Sequence, residues 1–456
     1  MIRFKNLLEW SCFICAACAL IVWPLPHTIA LRNIVLGFGA LSALIWMFSF
    51  WTERSKGNIF SLLIMLAVPL WLLLHYLSFS VNKDLAWYDL SGTWLRVTLS
   101  VTMGFGLGLM YKYQPKWPTL LVGITALYPL AVFIEYPFLL SKGIGLLQQY
   151  QEYPSQFFKY KSAAAYFLGW SCLIAYAILD FQKTRSGRKL KNIATSVLAV
   201  LLAGICFVDF IAFRTLNGIM LAASFGFLLI LKILVVNLKM LRSGWIIATL
   251  LSFVIALIAS IFFYGQYDAG ADGKLKNLVK DATISWDIDR SDAWQLTKDP
   301  NKLDLIADAS GRIVNESTYM RISWFRYGLK LLIQNPLGVG YTHAAFDHYM
   351  QQRFPGSRAH KTHSGWLDYA LGVGLPGLFF TWIAIFTVIV FSIQNLKYSP
   401  AALDYVAVWG LFGIWCLWWV SELSEREFIE HLFFMISFLT SSLCLPNHYA
   451  SKQPSE

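Results

Sequence analysis

The stretch from His363 to Gly377 reads HSGWLDYALGVGLPG and sets a histidine and a serine, Ser364, at the head of a long apolar run. Imidazole titrates near neutrality, so a histidine at the lip of a membrane helix can take a proton from a hydroxyl group. It can equally do no more than cap its helix, and the residue alone does not choose. His360, three residues earlier, is a rival for the same proton. Upstream, residues 312–361 hold Arg312, Arg321, Arg326, Lys330, Arg353, Arg358 and Lys361 against only Glu316 and Asp347, a net excess of five positive charges.

Other constellations carry less. Asp287-Ile288-Asp289 has the spacing of a metal-holding acidic pair, but it stands in a polar segment with no nucleotide-binding fold around it. His343, His348, His360 and His363 form no HExxH arrangement. Gly338-Val339-Gly340 follows no strand and is not a dinucleotide loop. Cys12, Cys15 and Cys18 lie three apart on one apolar helix, where small packing residues are expected rather than cluster ligands. The long polar segment has no cysteine and hence no disulfide framework. No metal and no cofactor is expected.

The elements that must position these residues are membrane helices. Hydrophobic residues make up 57% of the chain and charged ones 14%, against roughly 25% charged in a soluble domain. Runs such as 59–79, 193–208, 219–236 and 245–263 are almost free of charge. About 20 helical residues cross a hydrocarbon core, and these runs lack the alternation of barrel strands. The reading is an all-α polytopic membrane protein with about twelve spans, near 7–25, 30–51, 59–79, 92–111, 117–140, 161–181, 190–211, 215–236, 244–264, 366–393, 402–420 and 428–445. It divides into nine spans within residues 1–264, a largely helical loop over 265–365, and three spans with a C-terminal tail over 366–456. The N-terminus, with Arg3 and Lys5 before an apolar stretch, resembles a signal peptide without a convincing cleavage site and is read as a retained first span.

Basic residues orient the chain. With the N-terminus inside, the inner loops hold Arg54 and Lys56, Lys112 and Lys116, the group Lys183 to Lys191, Lys239 and Arg242, and Lys397. The outer loop 421–427 instead carries Glu422, Glu425 and Glu427 against Arg426. Both termini are then cytoplasmic and the long loop lies outside. The formal charge of +11 is accounted for by such loops, and no nucleic-acid partner is expected, since no binding module is present. Within the loop, residues 266–311 are polar. Ser317-Thr318 is expected to cap a helix running to about Gln334, Asn335-Pro336 to stop it, and a second helix to span Thr342–Arg353. Two amphipathic helices suggest a small folded cap over the membrane mouth.

On these residues the chain resembles the superfamily of O-antigen ligases, O-antigen polymerases and bacterial O-oligosaccharyltransferases, a GT-C-like group. The ligase pattern runs His, then Asn, Ser or Gln, nine residues, Gly, two residues, and Gly, Thr or Tyr. His363, Ser364, Gly374 and Gly377 match it without departure. Arg321–Gly340, RISWFRYGLKLLIQNPLGVG, and Arg214 at the start of the eighth span are similar to further superfamily features. The resemblance implies an inverting, metal-independent glycosyltransferase of lipopolysaccharide biosynthesis in the bacterial inner membrane. Its donor would be O-antigen on undecaprenyl diphosphate and its acceptor a lipid A–core sugar, joined on the periplasmic face. His363, Arg214 and Arg321 would be catalytic, with Arg326, Lys330, His360 and Ser364 binding substrate. Guanidinium suits this work because its planar fork bonds phosphate oxygens in pairs and stays charged. Arg214 and Arg321 also have a plainer reading, as a snorkelling boundary residue and a solvated surface charge.

A polymerase or a protein O-oligosaccharyltransferase is the alternative within this class. A lipid-linked glycan transporter is the alternative outside it, and it would show paired broken helices. The sequence displays no clear pair, nor a cluster of polar residues deep in the spans.

Overall fold

A computed structural model describes residues 2–50, 56–111, 117–141, 158, 161–184, 190–213, 215–239, 274–297, 306–398 and 401–443. Among them helices dominate, and the one β-bridge joins Ala307 to Ile313. Among the described residues, seven helices are long and apolar enough to cross a membrane by length and composition: Arg3–Val22, Ile29–Phe50, Lys161–Gln182, Ile193–Ala212, Leu216–Val235, Gly365–Lys397 and Ala402–Val420. The protein is therefore an all-α membrane protein. The expected span over 244–264 lies outside the described residues, and so does Arg214. The expected span over 117–140 is broken at Ala126 into two short helices.

In chain order the helices before the cap are α1 (Ile2–Val22), α2 (Ile29–Phe50), α3 (Lys56–Ser78), α4 (Lys83–Asp89), α5 (Leu95–Tyr111), α6 (Trp117–Thr125), α7 (Leu127–Ser141), α8 (Lys161–Thr184), α9 (Leu190–Ala212) and α10 (Leu216–Lys239). The cap supplies α11 (Lys274–Trp286), α12 (Glu316–Gln334) and α13 (Ala345–Arg353). The chain closes with α14 (Gly365–Tyr398), α15 (Ala402–Val406), α16 (Phe412–Val420) and α17 (Arg426–Leu443).

The core centres on α17. Nearly every residue of this helix is buried, as expected of a helix apolar around most of its circumference. α5 lies closely against it, because Gly104 and Gly108 leave room for the Phe434 and Phe438 carbonyls. Small residues one turn apart are how membrane helices bring their backbones together.

A charged cluster sits inside this bundle, where none was expected. Glu430 of α17 is fully buried and is bonded by Arg96 of α5 and by the Trp23 indole at 3.2 Å, with Arg32 of α2 at 3.5 Å. These residues stand near the ends of their helices that face the cap. Each charge reads from the sequence as a boundary residue, and only the packing of four helices joins them.

The cap is built on its own core. Asn315 caps α12 by accepting from the Thr318 amide, so the helix begins at Glu316, one residue before the expected Ser317-Thr318 cap. α13 begins at Ala345 rather than Thr342. The polar stretch before residue 311 contains α11, which its composition had hidden. Asp281 of α11 binds Arg312, and the Ser285 carbonyl accepts from Ser323 on α12. Trp294 fills the centre against Tyr327 and Phe354, with ring centroids 4.6 and 5.3 Å away.

Candidate active site

α14 is a broken helix. Gly374 has φ 75° and ψ 173°, so the first turns of α14 are set off from the remainder, and Pro376 stands two residues on. The break frees backbone groups that a membrane interior cannot hydrate. The Asn335–Gly340 turn after α12 satisfies several of them. Val339 N–H donates to the Leu371 carbonyl, Gly340 N–H to the Gly372 carbonyl and Leu375 N–H to the Pro336 carbonyl. The Trp71 indole of α3 donates to the Val373 carbonyl at 2.7 Å. The approach demands glycine: a Cβ on Gly374 would lie 2.2 Å from the Leu337 carbonyl oxygen, and one on Gly338 2.5 Å from the Gly374 nitrogen. The two glycine-bearing motifs are thus two halves of one joint, which fastens the cap to the head of α14.

His363 sits just above that joint. Its backbone is left-handed, φ 61°, a strained position for a non-glycine residue and one typical of functional sites. Hydrogen bonds determine it. Asp368 accepts from the Thr362 amide at 2.8 Å, Thr362 Oγ1 bridges to both backbone groups of Ser364, and the Gly365 amide donates to the Ser421 carbonyl at 2.8 Å. The last bond draws in the loop between α16 and α17, which carries Glu422.

The imidazole lies between two partners. One face stacks on Trp324 of α12, centroids 5.2 Å apart and planes 14° from parallel. Nδ1 contacts Glu422 Oε1 directly. A carboxylate only accepts, so Nδ1 carries the proton and Nε2 of the neutral ring is left as an acceptor. The side chain is 26% exposed, so the ring is not sealed from solvent. Burial pushes the Glu422 carboxyl up, but the hydrogen bond from His363 and the nearby charges of Lys361 and Arg321 outweigh it and hold the group below the usual glutamate range. Burial also works against the charge on Lys361, yet its ion pair with Glu425 and the nearby Glu422 and Asp368 raise its pKa.

The expected residues do not all converge. His363 and Arg321 come together: Arg321 is exposed on α12, one turn before Trp324, and its charge acts on Glu422. Arg326 and Lys330 do not join them; they line a separate groove of the cap, with Arg326 over the Trp286 ring at 5.3 Å. His360 points to Asp347 at 3.0 Å and is largely exposed. Ser364 is buried, and among the described residues its hydroxyl finds no hydrogen-bond partner. Arg214 lies outside the described residues. Its neighbour Asn217 donates to the Val420 carbonyl and to Ser421 Oγ at 2.9 Å, which ties the head of α10 to the Glu422 loop.

Sequence reasoning missed Glu422 and Trp324 as site residues. Glu422 belongs to the acidic loop that served only to orient the chain, and Trp324 lies within the cationic helix that was already singled out. Among the described residues, no group of three or more His, Cys, Asp or Glu side chains is arranged to hold a metal ion. Neither the models of known protein families nor the curated proteins include a match to this chain.

Proposed function

We propose that the protein is a glycosyltransferase that moves a polysaccharide from undecaprenyl diphosphate to a sugar hydroxyl of lipid A–core, at the periplasmic face of the bacterial inner membrane. In this reading it is an O-antigen ligase with twelve spans and both termini in the cytoplasm. The observation that carries it is the His363–Glu422 pair, roofed by Trp324 and neighboured by Arg321, where the cap meets the membrane helices. The likeness of His363, Ser364, Gly374 and Gly377 to the ligase pattern points the same way.

The chemistry follows from the arrangement. His363 Nε2 takes the proton from the acceptor hydroxyl while Glu422 holds the ring and stabilises the imidazolium that forms. The acceptor oxygen bonds to the anomeric carbon from the face opposite the diphosphate. The carbon–oxygen bond to phosphate breaks, its electron pair leaves with the lipid diphosphate, and the configuration inverts. Arg321 and Arg214 meet the charge on the departing phosphates. A positioned base is worth roughly 10²–10⁴-fold, and preorganised cations at the leaving group at least as much. Diphosphate is a good leaving group without a metal, so turnover should survive a strong chelator.

The test is reconstitution of the purified protein with undecaprenyl-diphosphate glycan and, in separate arms, lipid A–core, a second lipid-linked glycan or a protein acceptor. Ligated lipid A–core is expected. Product only in the second arm would make the protein a polymerase, and only in the third a protein oligosaccharyltransferase. The helix break at Gly374 and the buried charges around Glu430 are features that a carrier also uses. Glycan that changes leaflet without forming a covalent product would establish that reading instead.

A further inference from the structure

The cap has a second concave surface that the transfer chemistry leaves unused. A groove of about 570 Å³ opens between the C-terminal end of α11 and the last two turns of α12, lined by Trp286, Asp287, Asp289, Arg326, Lys330 and Gln334 among others. Its volume is in the range of small-ligand sites, about 300–1,000 Å³. α12 divides its faces between the two sites. Trp324 and Arg326 are two residues apart, roughly 200° around the helix, so one meets His363 while the other faces the groove.

The lining selects the ligand by charge. Two carboxylates and two cations border one groove, and among the described residues no ion pair joins any of them to another. The groove therefore presents donors and acceptors side by side along one wall. Two carboxylates and two cations leave the lining without net charge, which favours neither a phosphate-bearing ligand nor a cation as such. A neutral polyhydroxylated ligand uses all four, since each hydroxyl both donates and accepts; Gln334 also does both. Arg326 is held over the Trp286 ring, which fixes its donors in advance. Trp286 remains 46% exposed and offers apolar surface beside the polar groups, as amphipathic binding surfaces do.

We propose that this groove is a subsite for a short stretch of neutral oligosaccharide, which holds the glycan at a distance from the reacting end. It rests on the transferase reading only for which glycan arrives; binding itself is measured without turnover. The full-length protein in detergent is titrated with neutral tetrasaccharides of glucose, galactose, mannose and N-acetylglucosamine, and with a sulfated analogue of each. Saturation-transfer NMR and calorimetry report binding. At least one neutral member should bind, more tightly than its sulfated analogue, and Asp289→Ala and Arg326→Ala should each weaken it about tenfold. His363→Ala should bind it as the unaltered protein does. No binding by any member, affinity untouched in both groove variants, or preference for the sulfated forms overturns the proposal. Binding lost on Asp289→Ala in a protein that makes no ligated product would leave the groove standing and the transferase reading fallen. Ligated product with no groove binding would do the reverse.

Discussion

His363 is useful as a base only if its ring is held with one nitrogen free, and Glu422 does that holding. Replacing Glu422 by Gln keeps the shape but removes the obligatory acceptor, so the ring can take the other tautomer. Turnover should fall by roughly 10²–10⁴-fold, with partial recovery in Glu422→Asp; kcat and its pH profile check this. The same contact has a pH signature. Glu422 is held below its usual range in the folded protein, so its contribution to stability is complete above the ordinary glutamate pKa and is lost as pH falls through the lowered value. Hydrogen exchange over residues 421–425 should thus stay protected at neutral and mildly acidic pH and rise only under stronger acid. Exchange that increases between pH 7 and 6 would contradict this. At this scale His363 and Arg321 were legible from residue type and local motif. Glu422 was not, because its partner is remote in the chain and its own surroundings read as a solvated acidic loop.

At the scale of elements, the site depends on the joint between the α12–α13 turn and the broken head of α14. Gly374→Ala adds a Cβ where a carbonyl already stands and where φ is 75°. It should cost about 1–3 kcal/mol, measured by thermal unfolding in detergent, and should expose the 335–340 turn to protease. A full-strength joint in that variant would show that the glycine is not structural. The stop at Asn335-Pro336 and the helix to Gln334 were readable from turn chemistry and apolar spacing. That the two glycine motifs dock on each other was not, since docking is set by packing rather than by either sequence. α11 escaped notice for a different reason. Its polar composition masked it although Leu275, Leu278, Val279 and Ala282 keep helical spacing, and the face it buries carries Asp281 and Ser285 against Arg312 and α12.

Across the whole molecule, the helices are tied near the cap by Glu430, which pairs with both Arg32 and Arg96 in the bundle. Glu430→Gln leaves two guanidinium groups without their counter-charge, and removing one partner of a buried pair costs about 3–5 kcal/mol. The variant should lose most of its folded yield in the membrane, assayed by size exclusion and thermal unfolding, whereas an exposed change such as Arg353→Ala should not. The membrane character was legible because an uncharged apolar run of about 20 residues matches the thickness of a bilayer and little else. The interior cluster was not, because Arg32, Arg96 and Glu430 each sit close to a helix end, where charge is ordinarily solvated.

Removal of the proton from an acceptor sugar hydroxyl by His363 is the step on which the proposed activity rests. The most direct measurement compares the unaltered protein with His363→Ala in the reconstituted transfer from undecaprenyl-diphosphate glycan to lipid A–core. Unchanged helicity and size-exclusion behaviour would verify that the variant is folded. Ligated product should form with the unaltered protein and fall by at least about 10²-fold in the variant. Near-normal product from a folded His363→Ala protein would contradict that role.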